Sequence, residues 1–168
     1  PIADPTPYPL VGPGLLRSPA ITPARGDKED GMDALRCTIM RGGTSKAVFL
    51  REDDLPPAGE ARDRIILKVF GSPDKRQIDG LGGAHPLTSK AGIVARGTPG
   101  QADLDFTFAQ LQPNADTVDT TPNCGNMLAA VVPFALETGM VQPQGDSTTL
   151  RGLTLNTDMQ CDITVDTR

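Results

Sequence analysis

Residues 126–136 constrain the fold more than any other segment, because they are apolar on every side of a helix. A helix of this length without a polar face has to be surrounded by protein. Gly139 marks its end. The apolar run is interrupted by Pro133 and is shorter than the roughly 20 residues needed to cross a bilayer. We therefore expect a central, buried helix and no membrane partner.

Short apolar runs separated by glycine and proline turns predict β-strands around that helix. They lie at 47–50, 91–95 and 104–108, and an alternating segment follows at 148–165. The inward candidates of that last segment are Leu150, Leu153, Leu155, Ile163 and Val165. Residues 60–70 have the spacing of an amphipathic helix. Short connections favour antiparallel pairing, so we expect an α+β domain of antiparallel strands wrapped around a central buried helix.

Composition excludes one class of partner. The chain has 168 residues, with 16 Lys and Arg against 21 Asp and Glu and a net charge of −5. Such a surface has no broad positive field to hold a polyanion, so we expect no nucleic acid partner.

Two further features concern organisation and compartment. Residues 1–31 are rich in proline and are predicted to form a flexible tail, which leaves 32–168 as the folded domain. The three cysteines, Cys37, Cys124 and Cys161, are odd in number and widely spaced. This pattern suggests neither a disulfide framework nor a zinc site, and it favours a reducing cytoplasm.

The first glycine-rich stretch, 40–46, has features of an anion site. Gly42 and Gly43 allow the backbone to approach a ligand closely, and Thr44 and Ser45 add hydroxyl donors. Arg41 offers a planar donor pair for a carboxylate. The alternative is an ordinary tight turn before a strand.

The second stretch, 77–90, places Gly82 and Gly83 upstream of Lys90, at the mouth of an apolar strand. A partly desolvated lysine can act as a base, although most lysines are simply solvated. His85, the only histidine, has no partners in the sequence for a catalytic triad or a metal site, so we interpret it as a loop residue.

The third stretch leads directly into the buried helix and contains Asn123, Cys124, Gly125 and Asn126. A thiol at a helix N-terminus faces unpaired N–H groups and the positive end of the dipole, which favours the reactive thiolate. The same N–H groups can hold a carboxylate, with the two asparagines available to cap or to donate. The alternative is a small buried hydrophobic residue.

Taken together, the motifs at 40–46, 71–74, 76–83, 88–90 and 123–126 resemble, in order, those of the PrpF family. The resemblance covers about 35–165. The family consists of cofactor-independent isomerases of unsaturated tricarboxylates with the diaminopimelate epimerase-like fold. It includes 4-oxalomesaconate tautomerase, 2-methylaconitate cis-trans isomerase and aconitate isomerase. The amino-acid sequence at 71–80 and 87–90 is most similar to the first of these.

The resemblance implies that Lys90 and Cys124 are catalytic and that no cofactor or metal is needed. It also implies a set of residues that bind the carboxylates of a small di- or tricarboxylate substrate. These are Arg41, Gly42, Gly43, Thr44, Ser45, Gly82, Gly83, Ser89, Asn123, Gly125 and Asn126.

Members of the family have two similar domains with the site in the cleft between them, and this chain resembles only the N-terminal one. We therefore expect a second domain, another chain or a homo-oligomer to complete the cleft. Two other functions stay open at this point. One is a carboxylate-binding module without catalysis, and the other is a cysteine-dependent epimerase, for which no partner cysteine is evident.

Overall fold

A seven-stranded mixed sheet is the centre of the computed structural model, which describes residues 34–168. The predicted tail at 1–31 lies outside these residues. Along the sheet the strand order is β1-β2-β3-β4-β6-β7, and a short β5 pairs with β4. The elements are β1 (Thr38–Gly42), β2 (Ser45–Arg51), α1 (Glu60–Phe70), β3 (Lys90–Arg96), β4 (Leu104–Leu111), β5 (Val118–Asp119), α2 (Gly125–Glu137), β6 (Ser147–Thr154) and β7 (Met159–Asp166).

Strand direction follows the length of each connection. Strands joined by short connections, such as β1 with β2, β3 with β4, and β6 with β7, are antiparallel. The pairs β2–β3 and β4–β6 are parallel, and α1 and α2 lie in their respective connections. The expectation of antiparallel strands therefore holds only where the connection is short, because a parallel pair needs a crossover long enough to contain a helix.

Helix α1 covers one face of the sheet and confirms the amphipathic helix predicted for 60–70. Its buried residues Ile66 and Phe70 pack against Val48, Leu50 and other apolar side chains of β2 and β3. The helix ends at Gly71, whose φ of 76° is the left-handed conformation typical of a glycine C-cap.

Helix α2 packs on the opposite face and buries six of its residues. Phe134 contacts Phe49 with ring centroids 5.5 Å apart, inside a cluster that includes Phe106 and Phe108. The helix also touches β1 and β7, the two edges of the sheet, so the sheet curls around it. The sequence predicts protein on every side of α2, but within residues 34–168 one side of the helix is open. Ala129 is exposed and Pro133 is partly exposed, because the described strands leave that side uncovered.

The last two strands form a hairpin that closes the sheet beyond β4. Leu150 and Leu153 are buried, and Ile163 and Val165 pack partly against the α2 side of the core. Leu155 was expected to point inward but is 44% exposed. It lies after the end of β6, in the turn before β7, where strand alternation no longer applies. Within 34–168, neither helix has the length and apolar character required to span a membrane.

Candidate active site

Three chain segments from the sequence motifs meet at one end of the sheet. The turn between β1 and β2 follows Gly42, which pairs with Ser45. Parallel pairing of Val48 with Ala91 sets the start of β3 beside the beginning of β2. Antiparallel pairing of Lys90 with Gln110 then adds the end of β4. The N-terminus of α2 packs against the same end, as its contacts with the β1–β2 turn show.

Cys124 is the N-cap residue of α2, as the sequence predicts. Its backbone is extended, its side chain makes no capping hydrogen bond, and the first turn of the helix contains no acidic residue. The Asn123 side-chain oxygen accepts a hydrogen bond from the Cys124 N–H at 2.8 Å. The first N–H groups of a helix have no partner within it, so this end carries donors and a partial positive charge beside a half-buried thiol.

The β1–β2 turn packs tightly on the first turn of α2. A β-carbon at Gly42 would lie 2.4 Å from the main-chain oxygen of Asn126, and one at Gly43 would lie 2.5 Å from the side-chain oxygen of Asn126. Gly43 also has a φ of +50°. Asn126 Nδ2 donates to Thr44 Oγ1 at 3.0 Å. The two glycines are therefore required for this close approach between the hairpin and the helix.

Lys90 lies on the α2 face of the sheet at this same end. Strand alternation puts Lys90 on the face of Val94, which belongs to the α2 side of the core. Lys90 is 8% exposed, and its Nζ lies 5.0 Å from the centroid of the Phe108 ring. Nζ donates a hydrogen bond to Gln110 Oε1 at 2.8 Å. The structure thus brings the predicted lysine and cysteine to the same end of the same face.

Gln110 is a residue that the sequence analysis did not identify. Its Nε2 donates to the main-chain oxygens of Pro86, Ser89 and Leu111, at 3.0, 3.1 and 2.9 Å. No motif contains Gln110, and the signal that identifies it is its register opposite Lys90.

The loop that carries Gly82 and Gly83 is organised by Gln77. Gln77 is 1% exposed with a φ of +47°, and its Oε1 accepts from Ala84 N–H and from the Ser89 hydroxyl at 2.9 and 2.7 Å. A β-carbon on Gly82 would lie within 2.2 Å of the Gln77 side chain. Ser89 is therefore fully buried and bonded to protein, and its assignment to the substrate stays a prediction.

Arg41 and Gly82 lie on the α1 side rather than on the side of Lys90 and Cys124, and a β-carbon at Gly83 would lie 2.2 Å from the Thr88 side chain. Met40 packs toward α2, so alternation turns the exposed Arg41 away from that face. Gly82 N–H bonds to the Phe70 oxygen at the end of α1. Ser45 lies on the α2 face but is only 1% exposed. The carboxylate-binding roles of these residues remain predictions.

The segment before Cys124 is held by the β6–β7 turn, which the sequence analysis also missed. Asn156 accepts from the Phe108 N–H and donates to the Phe108 and Thr120 oxygens, at 2.8, 2.8 and 2.5 Å. The amide thereby continues the pairing of β4 after β6 has ended. Asn123 Nδ2 reaches Thr157 Oγ1 at 3.4 Å.

Near the same segment, Asp119 accepts from both the hydroxyl and the N–H of Thr121, at 2.6 and 2.9 Å. These two hydrogen bonds lower the pKa of the Asp119 carboxyl. They fix the turn that leads from β5 toward α2.

Comparison with known proteins assigns the chain to a family. A family model described as PrpF protein matches residues 32–168. The chain belongs to the PrpF family. It is 50% identical over 127 residues to 4-oxalomesaconate tautomerase of Pseudomonas putida, a match that covers 76% of this chain and 35% of that protein. It is 54% identical over 106 residues to 3-methylitaconate isomerase of Eubacterium barkeri, covering 63% of this chain and 28% of that protein.

A solved structure, the crystal structure of methylitaconate-delta-isomerase, shares the fold with a TM-score of 0.76 and 46% identity. The match covers 79% of this chain and 34% of that one. The PrpF-family chain thus spans about a third of the length of the relatives that it matches. The sequence motifs at 40–46, 77–90 and 123–126 all lie inside the region matched by the family model.

In this PrpF-family domain, the site combines an amine, a thiol and free main-chain donors on one surface. His85 lies in the 77–89 loop as expected, and its Nδ1 accepts from the Leu87 N–H at 3.1 Å. Residues 34–168 contain no group of His, Cys, Asp and Glu side chains suited to a metal ion. The arrangement can hold an anion at the start of α2 and can transfer a proton through Lys90 or Cys124.

Proposed function

We propose that this chain provides the lysine and cysteine of a cofactor-independent isomerase site, which moves a proton within an unsaturated di- or tricarboxylate. The observation that carries the proposal is the meeting of Lys90, Cys124 and the N-terminus of α2 at one end of one sheet face. The identities of 50% and 54% to a 4-oxalomesaconate tautomerase and a 3-methylitaconate isomerase support this class of reaction. We place 4-oxalomesaconate first among the substrates, with 2-methylaconitate or aconitate as the alternative.

The proposed chemistry needs only acid and base groups. Lys90 removes a proton from a carbon next to the conjugated carboxylate or ketone, and the C–H electron pair enters the conjugated system. The double bond shifts, and negative charge collects on the carboxylate or ketone oxygen. A proton returned at another carbon, or at the ketone oxygen, completes the isomer. Cys124 either delivers this proton or donates a hydrogen bond to the developing charge.

Substrate binding is assigned to the donors that converge at the start of α2. The N–H groups of Gly125 and Asn126, the Asn123 amide and the Thr44 hydroxyl can each donate to a carboxylate. With a net charge of −5, the surface as a whole repels a trianion, so binding has to depend on such local donors.

The proposal includes a cleft that other residues complete, because this chain spans only about a third of the length of its relatives. We propose that a second domain, another chain or a second copy supplies the remaining wall of the pocket. We also propose a cytoplasmic location, in keeping with three cysteines that are all free.

The test is proton NMR in D₂O on the protein with its cleft complete, with 4-oxalomesaconate and, separately, with trans-aconitate. We expect deuterium to enter at the allylic carbon and new isomers to appear. Lys90→Ala should slow exchange by about 100-fold or more, the usual contribution of a general base. Lys75→Ala, at an exposed lysine outside the site, is the matched control and should exchange at the wild-type rate.

The same experiment separates the other functions. Saturable binding of either compound without proton exchange would favour a carboxylate-binding module. Exchange that survives Lys90→Ala but is lost when Cys124 is alkylated would favour cysteine chemistry of the epimerase type. If the protein with its complete cleft shows no binding and no exchange with either compound, the proposal is wrong.

A further inference from the structure

We propose that Gln110 is the positioning residue for Lys90, and that its amide holds the lysine amine at the reactive end of the sheet. This inference rests on the proposed role of Lys90 as the base. Gln110 Oε1 accepts the hydrogen bond from Lys90 Nζ at 2.8 Å, and the two residues are direct partners across β3 and β4.

The orientation of the Gln110 amide is determined by its surroundings. Three main-chain oxygens, those of Pro86, Ser89 and Leu111, surround Nε2 at 2.9 to 3.1 Å. Carbonyl oxygens accept and do not donate, so only the NH₂ side of the amide can face them. The amide oxygen must then face Lys90. The lysine therefore meets a fixed acceptor rather than a mobile one.

The groups that the structure places against Lys90 Nζ within residues 34–168 are neutral. Nζ lies over the Phe108 ring and bonds to a neutral amide, and no ion pair of Lys90 occurs within residues 34–168. A neighbouring carboxylate would favour the protonated amine, whereas an amide orients the amine with a weaker preference for that form. Glutamine thus holds the amine in place without adding a negative charge beside it.

Gln110 also connects Lys90 to the glycine-rich loop. The Pro86 oxygen belongs to the short 3-10 turn 86–88, and Ser89 is bonded to Gln77, which holds Ala84. A movement of the 77–89 loop would therefore reach the lysine through the Gln110 amide.

Two variants of Gln110 separate its positioning of the Lys90 amine from the effect of a negative charge beside that amine. Gln110→Met keeps the approximate size and removes the acceptor, and Gln110→Glu keeps an acceptor and adds a charge; both variants also remove the Nε2 donor to the three main-chain oxygens. Gln112→Met, at an exposed glutamine two residues further along, is the control. Thermal unfolding followed by circular dichroism checks that each variant is folded. The primary readout is the rate at which an N-hydroxysuccinimide ester acylates Lys90 between pH 7 and 10, measured by peptide mass spectrometry, because it needs no turnover.

We expect the two variants to change the acylation rate in opposite directions. Only the unprotonated amine reacts, so Gln110→Glu should slow acylation about tenfold or more by favouring the ammonium, and Gln110→Met should accelerate it several-fold. In the deuterium-exchange assay, Gln110→Met should lower kcat about tenfold with KM within about twofold, since Gln110 orients the base rather than the substrate. The control should match the wild type in both assays.

Two contrary results are distinguishable. Equal acylation rates, or changes in the same direction in both variants, would overturn the role of Gln110 even if exchange depends on Lys90. Full exchange by Lys90→Ala would refute the proposed function, and with it the catalytic meaning of the Lys90–Gln110 contact.

Discussion

Gly42 lies directly against the main-chain oxygen of Asn126, and a β-carbon at Gly42 would come within 2.4 Å of that oxygen. Neither group is the end of a flexible side chain, so Gly42→Ala must push the β1–β2 turn away from α2. We expect a loss of about 2 kcal/mol in the free energy of unfolding, measured by urea denaturation. Gly125→Ala is the matched comparison, because a β-carbon there meets no atom within 4 Å. If both variants lose equal stability, close packing at Gly42 is not the cause.

The Asn156 side chain makes hydrogen bonds to the main chain of β4 where β6 has ended. Its loss should affect both the stability of the domain and the site. Asn156→Ala leaves the N–H and oxygen of Phe108 without their side-chain partner in a buried part of β4. We expect a loss of about 2 kcal/mol in the free energy of unfolding. Asn114→Ala, at an exposed asparagine, should change little and serves as the control. A loss in Asn156→Ala no larger than in the control would contradict this.

The three cysteines should differ in reactivity with pH. Burial raises the pKa of the Cys37 thiol, and burial together with the charge of Asp162 raises the pKa of the Cys161 thiol. A raised thiol pKa means less thiolate at neutral pH, so their alkylation should become fast only at alkaline pH. Cys124, at the start of α2, should react about tenfold faster with iodoacetamide at pH 7. Peptide mass spectrometry after timed labelling measures this, and faster labelling of Cys37 or Cys161 would count against a reactive Cys124.

Two exposed apolar side chains flank the Gly82–Gly83 loop, and we expect them to promote self-association of the 168-residue chain. Ile78 is 64% exposed and Leu87 is 51% exposed. Burial of such surface between copies is favourable in proportion to its area. Sedimentation velocity should show dimers or larger species whose fraction falls in Ile78→Ser/Leu87→Ser. A monomer at all concentrations would show that this surface does not mediate self-association.

Local patterns predicted both helices and the strands β2, β3, β4, β6 and β7, but the predicted strand segments did not include β1 or β5, and the long-range pairings were not predicted. The amphipathic spacing of 60–70 predicted α1, and the apolar run at 126–136 predicted α2 to within a residue of its bounds. Leu155 was misassigned because alternation cannot show where a strand ends. The parallel pairs β2–β3 and β4–β6 were not predicted, because the direction of pairing depends on where the crossover packs, and no local pattern encodes that.

For the candidate site too, residues in local motifs could be predicted, and residues that act through distant partners could not. The helix start at Cys124 and the glycine turn were visible as motifs, because backbone conformation demands particular residues there. Gln110 and Asn156 were invisible, since each acts through partners far away in the sequence, such as Phe108, 48 residues from Asn156. Alternation along β1 would have shown that Arg41 faces away from Met40, although not which face holds the site.

Helix α2 begins without a cap of its own, since Cys124 makes no side-chain bond to the first turn and no acidic residue follows it. A missing N-cap costs a helix about 1 kcal/mol. A carboxylate bound at this end would act as the missing cap, and its binding energy would then also be folding energy. The ligand would become a structural part of the domain, with the melting temperature rising as its concentration increases.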